Sequence, residues 1–403
     1  VLDTFLDRLA HPGQKIAAQE FARQLREHPL EGRIGLRLEC PWKFATAFFT
    51  ILAQGGEPVL EPRPEDILEL QVAGEIDDQG FRQVQAQPLP YLRANSYWCF
   101  SSGSSGRRRP LQFALSRGLA NAQAHAQALG LRSGQRLIQT LKIHHSFGVV
   151  AYLLTPLVVE MELELGSFFD ALFPLPASQD AATAVVHLTP YHLRLLQRRS
   201  IRVKERLHCL SLGAGPVTRD LAAYACTLAD KVFVTYGLSE AGPRVSCGLV
   251  NPRVFQDGWI GYPIPGVTAS VDESDQLCLE TPYASLSIEG HSIASGDRVQ
   301  RMMDGSFVFR NRVADALRIR GQTYFRGEVM GRLERSLGAA CYLDQCDYSD
   351  ELVLFVEGLD SAQVARFLKI DFPELRNIEI CSLPELPRGS LGKIELEKLR
   401  SCR

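Results

Sequence analysis

Six small residues, Ser101, Ser102, Gly103, Ser104, Ser105 and Gly106, stand between a hydrophobic run and three arginines, Arg107, Arg108 and Arg109. With so little side chain, backbone N–H groups can approach an anion. The hydroxyls add donors and the arginines add charge, so the stretch suits a polyphosphate. It is not a Walker A loop, because GxxxxGK[ST] is absent. Taken alone, it reads equally as a flexible Ser/Gly linker with a solvated basic tail.

Further segments carry groups that could join such a site. In "VFVTYGLSEAGP" (232–243) a β-rich run leads into Tyr236 and Gly237, with Ser239 and Glu240 just beyond. A carboxylate at the C-terminal end of a strand can hold Mg²⁺, and the neighbouring hydroxyl can touch a phosphate. "IASGDRV" sets Asp297 after a glycine, where its carboxylate can accept two sugar hydroxyls. "RNRVADALRIRGQ" carries Arg312 and, in a turn, Gly321. "LPELPRGSLGKIELEKL" presents Lys393 in a glycine-rich loop. Singly, each has a plain reading: a solvated loop acid, a Gly-Asp turn, a surface arginine, a surface lysine.

The elements that must position these groups follow from the rest of the chain. Its 403 residues exceed what one core usually sustains, so at least two domains are expected. Lys and Arg number 44 against 46 Asp and Glu, a formal charge of -2, so no global field draws the chain to nucleic acid and any basic patch is local. The ten cysteines form no CxxC pair and read as reduced thiols of a cytoplasmic protein. The apolar run 147–159 is broken by Pro156 and is too short for a membrane span. No signal peptide is evident.

The fold class read from this alternation is α/β. "GRIGLRLECPWKFATAFFTILAQGGEPVLEP" reads as strand, helix, strand, and the βαβ grammar continues through "SRGLANAQAHAQALGL", "AVVHLTPYHLRLLQRRS" and "TRDLAAYACTLADKVFVTYG". From about Gly258 short strands with close turns predict a small β-barrel-like unit. From about Asp315 mixed strands and helices predict a small α+β domain.

Taken together and in this order, the motifs resemble those of the adenylate-forming superfamily: acyl-CoA and aryl-CoA synthetases, the adenylation domains of peptide synthetases, and firefly luciferase. "SSGSSGRRR" resembles its phosphate loop, [ST]-[SG]-G-[ST]-T-G-x-P-K, and "YGLSE" its YGxTE. "SGD" is similar to its TGD, "NRVADALRIRG" to GRxDDxIKxxG, "PRGSLGK" to PRxxxGK, "KIHHSFG" to PxxHxxG, "LGAGP" to its adenine loop, and "GYPIPGV" to GxPxPGV. The resemblance covers nearly the whole chain.

It implies a large N-terminal domain (1–313) binding ATP and acyl substrate and a mobile lid (314–403). It further implies a two-step reaction in which a carboxylate attacks the α-phosphorus of ATP and the acyl group passes to a thiol of CoA or of phosphopantetheine on a carrier protein. By that resemblance residues 101–106 wrap the β- and γ-phosphates, with Arg109 in place of the usual lysine. Glu240 ligates Mg²⁺ and Ser239 contacts the α-phosphate. Gly213, Ala214 and Gly215 flank the adenine, Tyr236 stacks on it beside Gly237, and Asp297 and Arg312 hold the ribose. Lys393 bridges carboxylate and phosphate, and the loop around Gly321 lines the thiol channel after the lid turns.

Four departures stand out: Arg108 for proline, Ser105 for threonine, Asn311 for glycine, and Ala314 for the first hinge acid. His145 matches the gate histidine, or is a satisfied structural one. Ser146 falls where amino-acid-activating relatives carry aspartate, which disfavours α-amino acids and favours an aryl or medium-chain acid, with Thr189, Pro190 and Tyr191 lining its pocket. Only ten residues follow Lys393, so a carrier is expected to act in trans. The rival readings are a catalytically silent nucleotide-binding module and a ligase that uses an amine acceptor.

Overall fold

The structure, a computed structural model, describes residues 1–84, 95–101, 108–166, 183–200, 206–290, 292–319, 322–345, 351–375, 378–389 and 392–403. The sequence opens with two helices, Leu2–Arg8 and Pro12–Leu25, that pack on a third, Pro41–Ala53. The third helix is buried along most of its length because its sequence is nearly continuous Phe, Ala and Thr.

A 6-stranded sheet runs in the order Gly80–Gln83, Gly74–Asp77, Arg33–Arg37, Glu57–Leu60, Ser96–Ser101, Arg109–Ala114. Its middle strands are parallel, as the βαβ reading expects, and the outer pairs are antiparallel. The last two strands pair as an antiparallel hairpin, and the Ser/Gly stretch lies between them in sequence. Glu57 fixes that hairpin from inside. Although 1% exposed, its carboxylate accepts from Arg33 Nε at 3.3 Å, Trp98 Nε1 at 3.1 Å and Gln112 Nε2 at 3.0 Å, and from the Ser96 hydroxyl. A buried carboxylate is tolerable when its lone pairs are filled in this way, and here the filling ties both hairpin strands to the sheet.

An 11-stranded sheet follows. One half is parallel: Ala229–Tyr236, Leu207–Leu212, Ala184–Leu188, Arg136–Ile138 and Glu162–Glu164. The other half is antiparallel: Ser246–Leu249, Trp259–Pro263, Phe307–Arg312, Ile293–Arg301, Gln276–Glu280 and Thr268–Val271. The expected barrel-like unit is therefore an antiparallel extension of the large sheet and does not close. Trp259–Pro263 pairs on one side with a strand continuous with the parallel half, which keeps the sheet open. Helix Leu115–Leu129 lies between the sheets and ends at Gly130 in the left-handed region, φ 64°.

Residues beyond the 3₁₀ turn Val313–Asp315 build their own apolar core, from Leu317 and Ile319 through Leu343 and Leu354 to Leu375. Strands Cys341–Gln345, Leu352–Glu357 and Glu379–Leu383 carry helices Arg326–Leu337 and Ser361–Asp371. Every described cysteine is a free thiol. Among the described residues, no helix is long and apolar enough to cross a membrane.

Candidate active site

The C-terminal ends of the parallel strands and the hairpin base meet the small C-terminal unit in a cleft. One cavity there, of about 580 Å³, is lined by Ser101, Arg109, Gly237, Ser239, Glu240, Arg312 and Lys393 among others. Residues as distant in sequence as Ser101 and Lys393 thus share one space. A second cavity, about 420 Å³, adjoins it and shares Lys393, with Ala214, Gly215 and Tyr191 on one wall and Arg388 and Gly392 on the other.

Ser101 and Arg109 pair across the hairpin and bracket the stretch between them. Ser102, Gly103, Ser104, Ser105 and Gly106 lie outside the described residues, as does Gly321. Of the arginines, Arg109 faces the cavity and Arg108 turns away. The Arg108 guanidinium stacks over Phe100 at 4.1 Å, stands 3.7 Å from Asp66 and donates to the Glu61 carbonyl at 3.2 Å. The residue in the usual proline position thus braces the hairpin from behind.

Asp297 sits on strand Ile293–Arg301 directly across from Arg312 on Phe307–Arg312. Its buried carboxylate accepts from Arg312 Nε at 2.6 Å and Nη2 at 3.1 Å, and from the Tyr236 hydroxyl at 2.7 Å. Three of about four lone-pair sites are filled, which fixes the carboxylate plane and joins three separate motifs in one network. Burial and then the Asp297 charge push the Tyr236 phenol well above its usual range. The phenol therefore remains a donor.

Ser239 Oγ lies 2.8 Å from Ser146 Oγ. Glu240 is half-buried on the cavity wall and has no ion-pair partner among the described residues, so its carboxylate is available to a cation. Among those residues there is no cluster of three or more His, Cys, Asp or Glu able to hold a metal by themselves. One protein carboxylate on the wall of a cavity that also holds Ser101 and Arg109 suits Mg²⁺, which keeps waters and is bound through one or two carboxylates.

His145 caps a short helix, its Nδ1 accepting from Gly148 N at 3.1 Å. Nδ1 is therefore the unprotonated nitrogen, and Nε2 carries a proton with no described partner. Burial, then the neighbouring charges of His144 and Lys393, hold its pKa down to about 3, so the imidazole is a neutral donor and does no acid–base work at neutral pH. His144 beside it is held 2.6 Å from Glu61.

Lys393 reaches the cavity from a turn closed by Gly389 and Gly392. Desolvation and then Arg312 lower its pKa, with Asp297 opposing. The residue as a whole remains exposed, and its place beside Arg312 is shown by the cavity that both line.

The family model for the AMP-binding enzyme matches residues 57–296. The chain belongs to the AMP-binding enzyme family. A 2-succinylbenzoate–CoA ligase of Bacillus pumilus is 21% identical over 197 residues, which is 49% of this chain and 40% of that protein, so the match spans less than half of the relative. The Fusarium pseudograminearum nonribosomal peptide synthetase 32 is 24% identical over 319 residues, 4% of its length. Among solved structures, O-succinylbenzoate coenzyme A synthetase from Bacillus subtilis in complex with ATP and magnesium ion superposes with TM-score 0.73 at 16% identity, covering 96% of this chain and 93% of that one. ATP-bound MatB from Rhodopseudomonas palustris gives 0.69 at 15%, covering 95% and 91%.

Two features of this AMP-binding enzyme were not legible in its motifs. The first is the docking of the Lys393 loop. Thr189, Pro190 and Tyr191, read from the sequence as lining an acyl pocket, all line the second cavity. In addition, Thr189 Oγ1 caps helix Pro190–Arg198, and Tyr191 is the platform for the loop. Arg388 stacks over Tyr191 at 5.2 Å and donates to the Gly392 carbonyl at 3.1 Å. Gly392 has φ 77°, and a Cβ there would overlap Tyr191 Cβ and Cγ. Gly392→Ala is accordingly expected to hold Lys393 away from the cleft and cut adenylation at least about tenfold, since both the left-handed backbone and the overlap oppose closure, by roughly 1 to 2 kcal/mol for the backbone alone. Thermal stability should fall by no more than that backbone penalty of roughly 1 to 2 kcal/mol implies. Pyrophosphate exchange beside a melting curve checks this, and undiminished exchange would refute the docking role.

The second feature is Arg244, two residues past the YGLSEAG run. It is 1% exposed, and nothing in its local sequence announces burial of a charge. The only available signal was its position just after the motif that carries Glu240.

Proposed function

We propose that the protein activates a carboxylic acid with ATP and transfers the acyl group to a pantetheine thiol. The observation that carries this is Lys393 lining one cavity with Ser101, Arg109, Ser239, Glu240 and Arg312. In the first half-reaction a carboxylate oxygen bonds to the α-phosphorus as the bond to the β-phosphate oxygen breaks, and pyrophosphate leaves. Ser101 and Arg109 at the hairpin base stabilise the departing charge, and Ser239 orients the α-phosphate. Lys393 bridges attacking carboxylate and phosphate, an interaction that strengthens as charge shifts. Glu240 would hold Mg²⁺, which when bound neutralises phosphate charge. Asp297 has lone-pair capacity for a ribose hydroxyl, Arg312 fixes its plane, Tyr236 closes the adenine side, and Gly213, Ala214 and Gly215 form the facing turn. In the second half-reaction the thiol loses its proton to solvent, its sulfur bonds to the acyl carbon, and AMP leaves with the electron pair of the broken anhydride bond.

Residues 1–313 act as the body and 314–403 as the lid in this reading, supported by the separate core beyond Leu317. The hinge acid missing at Ala314 is followed by Asp315, which Arg326 Nη1 approaches at 3.3 Å while also donating to the Tyr342 hydroxyl at 2.9 Å. That network would anchor the lid side of the pivot. The names of the similar proteins favour an aryl or related acid and CoA as acceptor. A carrier protein in trans is the alternative acceptor, and a cytoplasmic setting fits free thiols. Exchange of labelled pyrophosphate into ATP across a panel of acids tests the reading. Exchange dependent on one class of acid supports it, and ATP binding without exchange for any acid points to a silent module.

A further inference from the structure

Arg244 is a buried cation without a counter-ion. Among the described residues no carboxylate pairs with it, and its Nε and Nη2 have no hydrogen-bond partner. Its backbone is held by Asn121, which donates to the Arg244 carbonyl at 2.8 Å and accepts from its N–H at 3.2 Å. The guanidinium carbon lies 3.5 Å from the centre of the Phe147 ring, whose π-face offsets part of the charge. An unpaired charge inside a protein is strongly destabilising, and a conformation that retains one is serving something other than the fold.

The surroundings are polar in a consistent way. His125 and His187, each 1% exposed, stand with rings 6.3 Å apart, and each keeps one nitrogen without a partner: Nε2 of His125 and Nδ1 of His187. Burial, then the Arg244 charge, holds both imidazoles well below their usual pKa, so they are neutral and add no second charge. The His187 ring meets Phe147 at 5.9 Å and Tyr152 at 5.6 Å. Phe147 connects this region to the cleft: its ring is 5.9 Å from that of His145, and it follows Ser146, which touches Ser239. One partly buried aromatic ring therefore separates a fixed, planar cation from the place where the acid reacts.

We infer that Arg244 is the recognition site for a second anionic group on the acyl substrate, so that the enzyme activates one end of an acid whose far end carries a carboxylate. The guanidinium fork matches a carboxylate bidentately, and the free His125 and His187 nitrogens can complete its hydrogen bonding. An acyl group entering from the cleft displaces the Phe147 ring and brings its distal charge to the fork. A saturated hydrocarbon tail would instead leave the cation bare, so a medium-chain fatty acid fits this interior poorly. The inference rests on the acid-activating reading and narrows its substrate class.

The test compares diacids with their monomethyl esters. Succinate through sebacate and the three benzenedicarboxylates are titrated against the full chain with ATP present, following thermal shift. Pyrophosphate exchange is measured in parallel. At least one diacid is expected to bind ten times more tightly or better than its monoester, and Arg244→Met should abolish that difference while leaving ATP affinity unchanged. Arg244→Lys, which keeps charge and loses the fork, covers the case in which the methionine variant fails to fold: it should retain the preference with weaker binding. Monoesters equal to diacids throughout, no diacid binding at all, or a preference that survives Arg244→Met would each overturn the inference. Exchange with monoacids alone would overturn it and leave acid activation standing. Diacid binding that depends on Arg244 without exchange of any acid would support the subsite and count against catalysis.

Discussion

Lys393→Ala is expected to slow acyl-adenylate formation by about 10² to 10³, roughly 3 to 4 kcal/mol of transition-state stabilisation by analogy with other preorganised donors. Transfer to thiol from a supplied acyl adenylate should stay within a few-fold of the parent, because in the proposed reaction the lysine enters only the first half. The structure gives this its geometric basis: Lys393 lines the cavity with Arg109, Ser239 and Glu240 and is held there by the Gly392–Tyr191–Arg388 contact. Single-turnover measurements of each half-reaction decide it. Equal loss in both would mean that Lys393 supports the fold of the cleft or that the lid has one working position.

Acidification from pH 7 to 5 should cost much of the protein's stability. His125, His145 and His187 have folded-state pKa values depressed by burial, to about 3 for His145, against an ordinary 6.5. A histidine of this kind is neutral in the native state and takes up a proton only on unfolding. Below 6.5 the unfolded chain therefore binds more protons and gains free energy relative to the native state. Stability is full above pH 6.5 and falls between there and the folded pKa. Each imidazole that stays neutral contributes a loss of about 2 kcal/mol at pH 5 relative to pH 7. With three acting together, the loss is comparable to the whole stability of a typical domain. Glu61, whose carboxyl burial would raise but His144 lowers further, contributes to acid loss only toward its ordinary 4.5, below this window. Urea unfolding at pH 7 and 5 checks the slope, and His187→Gln should reduce it. A urea midpoint unchanged between the two pH values would show that the buried imidazoles protonate in the folded state.

The groups legible in the sequence are those whose role depends on a few neighbouring residues. The Ser/Gly stretch, Glu240 at a strand end, Asp297 after a glycine and Lys393 in a glycine turn are each proposed local solutions to holding phosphate, metal or sugar, and spacing and residue type suffice to single them out. The βαβ alternation is legible for the same reason, since a period of 2 giving way to 3.6 is a property of short windows. Sheet closure is not local, and the strands after Gly258 carry turn signals compatible with a barrel or an open edge. Only pairing of Trp259–Pro263 with Ser246–Leu249 chooses the open sheet.

Side-chain partners are decided by the tertiary structure, because they come from segments far apart. Arg108 and Arg109 are adjacent and chemically identical, yet one braces Asp66 and the other lines the cavity. Tyr191 becomes a docking platform only because Gly392, some 200 residues on, has no Cβ. Arg244 looks like a surface arginine until the sheet, helix Leu115–Leu129 and Phe147 close around it. Composition states how many charges a chain has, and folding alone determines which of them lose water without gaining a partner.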